Sequence, residues 1–307
     1  MIGNIDPQSA QFLSGIEQIQ NKIAKASSEV SSGLSVTVPS DAPDQIGNLL
    51  QLRANQLHNT QVQANLTLAQ TNAQAADNAL SSSIQLMDTA TTLATQGATA
   101  TATATSRAAM AEQVQSILQQ MVANSQTNVQ GVFIFSGDQA QTPQYTWDST
   151  QANPVVTQQT AASTRQIESP AGGTFQAALT ARQIFDDQDP VAGGPATDNV
   201  FNALNTLLTA LNANDTAGIT NSISLLQAAS VHLNSSQAFY GNLEQEIQGA
   251  NTYASNYNTQ LETEISNIQD ADIPKAASEL TLGNTQLQAA MEMEGHLPHT
   301  SLFNYLG

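Results

Sequence analysis

Both ends of the chain carry apolar residues at alternating spacings of four and three, which is the heptad pattern of helices that pack against other helices. Near the start, the repeat runs through Phe12, Ile16, Ile19, Ile23, Ala26 and Val30. After Pro274 it resumes through Ala277, Leu280, Asn284, Leu287 and Met291. An isolated amphipathic helix is marginally stable in water. We therefore expect the two terminal helices to need partners, in each other or in neighbouring subunits.

Asn284 falls on the predicted seam of the last helix. A single Asn at such a position costs stability but fixes the register and the number of partners. A solvated Asn near a fraying helix end explains the same residue equally well. The pattern leaves both interpretations open.

Longer helical patterns lie inside the two ends. A stripe of small and apolar residues follows the loop that contains Pro39 and Pro43 and predicts a long helix. Its members are Val62, Leu66, Ala69, Ala73, Ala76, Leu80, Ile84, Met87, Thr91 and Ala94. A third helix, which ends near Gly131, is indicated by Met110, Val114, Ile117 and Met121. From Ile219 to Ile268 the spacing predicts one helix of some fifty residues, on the order of 75 Å long.

Residues 132–198 have a different texture, with five prolines, glycine pairs and a β-rich start at GVFIFSG. We predict a small β-rich insert with Tyr145 and Trp147 inside it; an unstructured linker is the alternative. The predicted fold is mainly α: a long antiparallel helical rod with terminal coiled-coil helices and the insert at its tip. Its regions are residues 1–45 and 270–307 for assembly, 46–131 and 199–269 for the rod, and 132–198 for the insert.

The charge balance disfavours several functions. Only 10% of residues are charged, and seven bases oppose twenty-five acids, for a net charge of −18. Binding to nucleic acid or to an anionic membrane needs clustered Lys and Arg, so both are disfavoured. We also expect no membrane insertion, since no stretch approaches about 18 apolar residues. The uncharged surface is rich in Gln, Asn, Ser and Thr, which favours association between copies.

No catalytic, cofactor or metal motif is recognisable, and we expect none of these functions. There are no cysteines. His58, His232, His296 and His299 are interpreted as structural or solvated residues. The acidic run Asp186, Asp187 and Asp189 lacks the order of a calcium loop and is interpreted as a solvated loop.

Four segments carry a resemblance to a known family: SSGLSVTVPSDAPDQIG at 31–47, GVFIFSGDQAQTPQY at 131–145, DADIPKAASEL at 270–280 and the ending SLFNYLG. They resemble, in the same order, segments of bacterial flagellins and hook-associated protein 3. The Pro-Ser-Asp-x-Pro loop at Pro39 looks more like the hook-associated branch.

The resemblance implies a structural subunit of the extracellular flagellum, exported without a cleaved signal peptide. Its partners would be copies of itself, hook-associated proteins, flagellin and an export chaperone bound to the C-terminal segment. The arginine of receptor-stimulating flagellins is missing around SIQLMDTATTLATQG. The implied assembly interface consists of Phe12, Ile16, Ile19, Ile23, Val30, Leu280, Asn284, Leu287, Met291, Leu302, Phe303 and Leu306.

Three functions are consistent with these sequence features. The resemblance favours a subunit that joins the hook to the filament, and the filament subunit itself is the alternative. A secreted coiled-coil binding module or adhesin is a more distant alternative, and its binding would survive deletion of either end.

Overall fold

The structure is a computed structural model that describes the backbone of residues 7–151 and 153–296, and the side chains of residues 10–151 and 153–295. Within those residues the fold is mainly α with small antiparallel sheets, as predicted. The helices are α1 (Pro7–Ser32), α2 (Ile46–Ala98), α3 (Ala104–Ser125), α4 (Ala181–Phe185), α5 (Val200–Asn212), α6 (Thr216–Gln269) and α7 (Ile273–His296). None of the described helices is both long enough and apolar enough to span a membrane.

The chain forms two compact units, one of residues 59–256 and one that combines residues 1–58 with 257–307. In the first unit, α2 and α6 run antiparallel. The Asn59 side chain donates to the Ala254 carbonyl at 2.8 Å, and Gln237 donates to the Asp77 carboxylate at 3.0 Å. Further along α2, a β-carbon at Gly97 would lie 3.7 Å from Ile219.

The predicted stripe of α2 faces the core of this unit. Its members are buried except for Ile84 and Thr91, which are partly buried. The stripe contains alanines at positions 69, 73, 76 and 94. Small residues let helix axes approach closely. Each alanine therefore buries little apolar surface but allows α2 to pack at a short distance from its neighbours.

Arg107 fastens the turn between α2 and α3. Its buried guanidinium donates to the Gly97 carbonyl at 2.8 Å, the Thr99 carbonyl at 3.1 Å and the Asn214 side chain at 2.7 Å. Carbonyls at the end of a helix have no partner within the helix. Arg107 therefore caps α2 and ties it to the turn that precedes α6.

The third helix is shorter than expected, because α3 ends at Ser125 and not near Gly131. The next residues form a hairpin of β1 (Asn128–Val129) and β2 (Val132–Phe133). Its turn places Gln130 and Gly131 at φ 53° and 82°, a left-handed conformation that no helix continues. α3 has therefore already ended before a turn whose geometry excludes helix.

Two more hairpins complete the insert: β3 (Tyr145–Trp147) with β4 (Val155–Thr157), and β5 (Gln166–Glu168) with β6 (Thr174–Gln176). Tyr145 is buried and Trp147 packs against the core, as expected. In the run GVFIFSG only two residues are strand. Ile134 and Phe135 instead project into the core and are nearly inaccessible.

The insert packs along α2 and α6. Phe135 meets Phe185 and Tyr240 edge to face, with ring centroids 5.9 and 6.2 Å apart. Tyr240, from the middle of α6, also accepts a hydrogen bond from the Leu179 amide at 3.1 Å. Aromatic burial therefore draws the insert against the flank of the helices.

Candidate assembly surface

The second unit is built on the pairing of α1 with α7. A groove between them is lined by the α1 residues Phe12, Ile16 and Ile19, and by residues of α7 that include Ala290 and Met293. The pairing is antiparallel, because Ile23 of α1 lies over Gly283 and Leu34, just after α1, bridges to Asp270, just before α7. The two terminal heptad helices therefore pair with each other within one chain.

The predicted α1 residues share one partly covered face. Phe12, Ile16, Ile19 and Ile23 are half-buried and Ala26 is buried, whereas Val30 remains 37% exposed. A single helical partner covers only a narrow part of a helix surface. Half-burial along the stripe is what one partner helix provides.

The seam of α7 differs from the predicted register. Ala276 and Gly283 are buried and Leu280, Leu287 and Ala290 are half-buried, which is again a spacing of four and three. Asn284 is exposed and Met291 is 59% exposed. Placing Asn284 on the seam was therefore wrong for the contact with α1, and Gly283 occupies that position.

Gly283 permits a close approach of the two helices. A β-carbon at this position would lie 2.7 Å from Ile23 Cγ1, closer than packed carbon atoms come. A glycine inside a helix costs about 1 kcal/mol relative to alanine. This cost is offset because the Ile23 side chain packs into the space that a β-carbon would occupy.

Backbone hydrogen bonds close the base of this helical pair. Gly33 ends α1 in the left-handed conformation, with φ 75°. Its carbonyl accepts from the Ala271 amide at 2.9 Å, and the Ser35 amide donates to the Gln269 carbonyl at 2.7 Å. The segments SSGLS and DADIP therefore meet through their backbones.

Asp41 shapes the loop that follows. Its carboxylate accepts from the Val38 amide at 2.9 Å, the Thr37 amide at 2.9 Å and the Thr37 hydroxyl at 3.0 Å. These bonds, that from the Val38 amide first, lower the pKa of the exposed Asp41 carboxyl below its ordinary value of 3.8. The aspartate of the Pro-Ser-Asp-x-Pro sequence therefore accepts hydrogen bonds from the two residues that precede Pro39.

Exposed apolar side chains concentrate in the unit formed by the two ends. Among the described residues it holds nine of the thirteen exposed large hydrophobic side chains, although it contains about a third of the chain. They are Leu13, Val30, Val38, Leu50, Leu57, Ile273, Leu282, Met291 and Met293. This excess favours the unit as the part of the chain that interacts with other proteins.

Of the twelve residues suggested for assembly, the structure brings together Phe12, Ile16, Ile19, Ile23, Leu280 and Leu287 along the paired helices. Val30, Asn284 and Met291 are exposed. Leu302, Phe303 and Leu306 lie outside the described residues.

The sequence pattern did not predict Ala276, Gly283 and Ala290 as seam residues. Two registers of α7 share Leu280 and Leu287, and their other members differ by one position. The buried register has only Ala and Gly at those positions. Counting large apolar side chains therefore favours the register that contains Met291. Gly283 in an otherwise helical segment was the available signal, since such a glycine suggests a packing reason.

Comparison with protein families gives two matches. A model described as the bacterial flagellin N-terminal helical region matches residues 5–140, and one described as the bacterial flagellin C-terminal helical region matches residues 223–306. A search of curated protein sequences returned no significant match.

Solved structures with the same fold include hook-associated proteins. A flagellar hook-associated protein from Vibrio parahaemolyticus is 18% identical, with a TM-score of 0.63 over 75% of this chain and 100% of that one. Hook-associated protein 3 from Legionella pneumophila is 12% identical, with a TM-score of 0.61 over 73% and 99% of the two chains.

FlgL from Xanthomonas campestris is 15% identical, with a TM-score of 0.59 over 69% of this chain and 98% of that one. These likenesses establish the fold. The two flagellin models match both helical ends of the chain, in order and over most of its length. On that evidence, this protein belongs to the bacterial flagellin family.

Proposed function

We propose that this chain is the subunit that joins hook to filament in a bacterial flagellum, that it assembles through its terminal helices, and that it has no catalytic role. Membership of the flagellin family makes it a structural component of the flagellum, which assembles with other flagellar subunits. The observation that carries the proposal is the concentration of exposed apolar side chains in the unit that contains both ends.

The proposed interface comprises the residues suggested by the sequence, from Phe12 to Val30 on α1 and from Leu280 to Met291 on α7, with Leu302, Phe303 and Leu306. Pairing of α1 with α7 leaves Leu282, Met291 and Met293 more than half exposed. Their burial against neighbouring subunits would contribute about 25 cal/mol per Å² of apolar surface, before ordering costs.

The junction is preferred to the filament because the three solved structures described above are hook-associated proteins, and each is covered almost completely by this chain. The loop at Asp41 supports the same branch. A filament subunit remains the alternative, and the experiment below separates the two by the form of the assembly.

The remaining partners follow from the same proposal. The chain would leave the cell through the flagellar export apparatus without a cleaved signal, with a chaperone on its C-terminal segment until export. A secreted coiled-coil adhesin is the distant alternative; its binding would not depend on the α1 stripe.

The test uses the purified full chain, Ile19→Asp and Gln20→Asp. Ile19 is half-buried in the groove and Gln20 is its exposed neighbour, so both variants add one negative charge to α1 and only one removes the apolar contact. Light scattering and electron microscopy would follow each protein alone with a salting-out agent, and then with isolated hooks and filament fragments.

A junction subunit would stay monomeric alone and bind the ends of hooks or filaments, whereas a filament subunit would form long tubes by itself. We expect Ile19→Asp to abolish assembly and Gln20→Asp to retain it. The core of residues 59–256 should stay folded in both variants, because its buried cluster lies within that unit. Assembly of Ile19→Asp at the normal level would contradict the proposed interface.

A further inference from the structure

Three side chains from distant parts of the sequence meet in the unit of residues 59–256. Asp187 follows α4, Asp198 precedes the first turn of α5, and His232 lies on α6. One possible ligand atom from each lies within 4.8 Å of the others. His232 Nδ1 is 3.3 Å from Asp198 Oδ2. The folding of the insert against α6 brings this group together.

The contact of the other ring nitrogen, Nε2, determines which nitrogen of His232 carries the hydrogen. His232 Nε2 lies 2.7 Å from the Gln183 carbonyl oxygen, which can only accept a hydrogen bond. Nε2 therefore carries a hydrogen, and in the neutral ring the lone pair is on Nδ1, facing Asp198. A lone pair and a carboxylate repel each other unless a proton or a metal ion lies between them.

This arrangement is typical of metal-binding histidines, which usually donate their other N–H to a carbonyl or a carboxylate. The contact with Gln183 comes from outside the three-residue group. It orients the ring before any ion binds, so the cost of ordering the ligand is already met by the fold.

The loop around the two aspartates is held by a separate network. Asp186 accepts hydrogen bonds from Tyr145 at 2.9 Å, Gln188 at 2.9 Å and Asn199 at 2.8 Å. Asn199 also donates to the Asp187 backbone carbonyl at 2.8 Å. Asp186 is therefore structural, and among the described residues the Asp187 carboxylate takes no part in its network.

We propose that Asp187, Asp198 and His232 bind a divalent transition-metal ion, with zinc as the probe. Two carboxylate oxygens and one imidazole nitrogen suit zinc better than calcium or magnesium, which prefer oxygen ligands alone. In a tetrahedral site with bonds near 2.1 Å, ligand atoms lie about 3.4 Å apart. The His232–Asp198 pair already has this spacing, at 3.3 Å.

The three side chains are partly open to solvent. The side chains of His232 and Asp198 are 20% and 35% exposed, so an ion can enter and water can complete its shell. A bound ion would link the loop after α4 to α5 and α6. This proposal is independent of the flagellar function, since it concerns the insert and not the terminal helices.

The experiment uses the full chain without a polyhistidine tag, freed of metal by chelation and titrated with zinc chloride by calorimetry. Asp187→Asn, Asp198→Asn and His232→Gln each remove one ligand. Asp88→Asn, on the exposed side of α2, and His58→Gln are matched controls. Circular dichroism without metal would confirm that every variant folds.

We expect each ligand variant to weaken one zinc site by more than about 100-fold, the upper range for losing an outer-shell partner of a metal ligand. Both controls should retain that site, and zinc held elsewhere should persist in the ligand variants. Nitrogen NMR of the wild-type chain gives a readout that does not depend on a variant. Zinc should shift the His232 Nδ1 resonance while Nε2 keeps its hydrogen.

Unchanged zinc stoichiometry and affinity in His232→Gln would overturn the proposal. So would zinc bound at Nε2, loss of the site in only two of the three ligand variants, or a wild-type chain that binds no zinc and keeps His232 protonated at both nitrogens. In that last case the pair with Asp198 is an ion pair only.

Discussion

Gly283 of α7 lies directly under the Ile23 side chain of α1, with room for no β-carbon: one built there would be 2.7 Å from Ile23 Cγ1. The contact sets both the distance between the two terminal helices and their register. It also explains why α7 contains a glycine at a position where the helix alone would be more stable with alanine.

Replacing this glycine should separate the two helices. We expect Gly283→Ala to destabilise the pairing of α1 with α7 by about 1–3 kcal/mol, the usual cost of overpacking. Gly15→Ala is the matched control, because a β-carbon at Gly15 meets nothing within 4 Å. It should stabilise α1 by about 0.5–1 kcal/mol through helix propensity.

Native-state hydrogen exchange of amides in α1 and α7 measures the opening free energy of both variants. Equal protection of α7 in Gly283→Ala and in the wild type would mean that the helices do not pack as closely as described.

The α1–α7 seam and the assembly surface can be separated at Asn284, which is exposed. Asn284→Leu should change the free energy of unfolding by less than about 0.5 kcal/mol, as is usual for surface positions. It should change assembly on hook or filament ends if Asn284 contacts a neighbouring subunit. Chemical denaturation and end-binding by electron microscopy are the two measurements. A large loss of monomer stability would restore Asn284 to the intramolecular seam.

The loop at Asp41 should respond to acid. Because hydrogen bonds from Val38 and Thr37 lower the pKa of Asp41 in the folded chain, the ionised carboxyl stabilises the loop. This contribution is complete above the ordinary value of 3.8 and is lost as the pH falls below 3.8 through the lowered pKa. The protection factors of the Thr37 and Val38 amides, measured against their intrinsic exchange rates at each pH, should fall over that window.

Asp41→Asn should reproduce this loss of protection at neutral pH. Asp44→Asn removes the same charge from the neighbouring loop and is expected to leave both amides protected. Protection of Thr37 and Val38 that does not change in Asp41→Asn would show that the carboxylate is not their acceptor.

Arg107 should be the most sensitive basic residue of its unit. Arg107→Met removes three hydrogen bonds and leaves the carbonyls of Gly97 and Thr99 without this donor. We expect a loss of about 3 kcal/mol in the free energy of unfolding, since a single hydrogen bond to a charged group contributes about 1.5–3 kcal/mol. Urea denaturation measures it.

Arg182→Met is the comparison, because the Arg182 side chain is exposed in the same unit. It should cost less than about 0.5 kcal/mol. Similar losses in the two variants would contradict the capping role of Arg107.

The helices, the β-rich composition between them and the flagellin resemblance could all be predicted from the sequence alone. A stripe such as that of α2 can be read without a partner because helix geometry repeats every 3.6 residues within one segment. The loop at Asp41 can be read for the same reason, since its acceptor and donors lie within four residues.

Tertiary structure decided what depends on contacts between distant segments. Leu280 and Leu287 fit two registers of α7, and only the shape of Ile23 against Gly283 selects one. The insert packs along α6 because Tyr240 provides a surface for Phe135. Asp187, Asp198 and His232 have no common spacing in the sequence, and only the packing of the insert against α6 brings their ligand atoms within 4.8 Å.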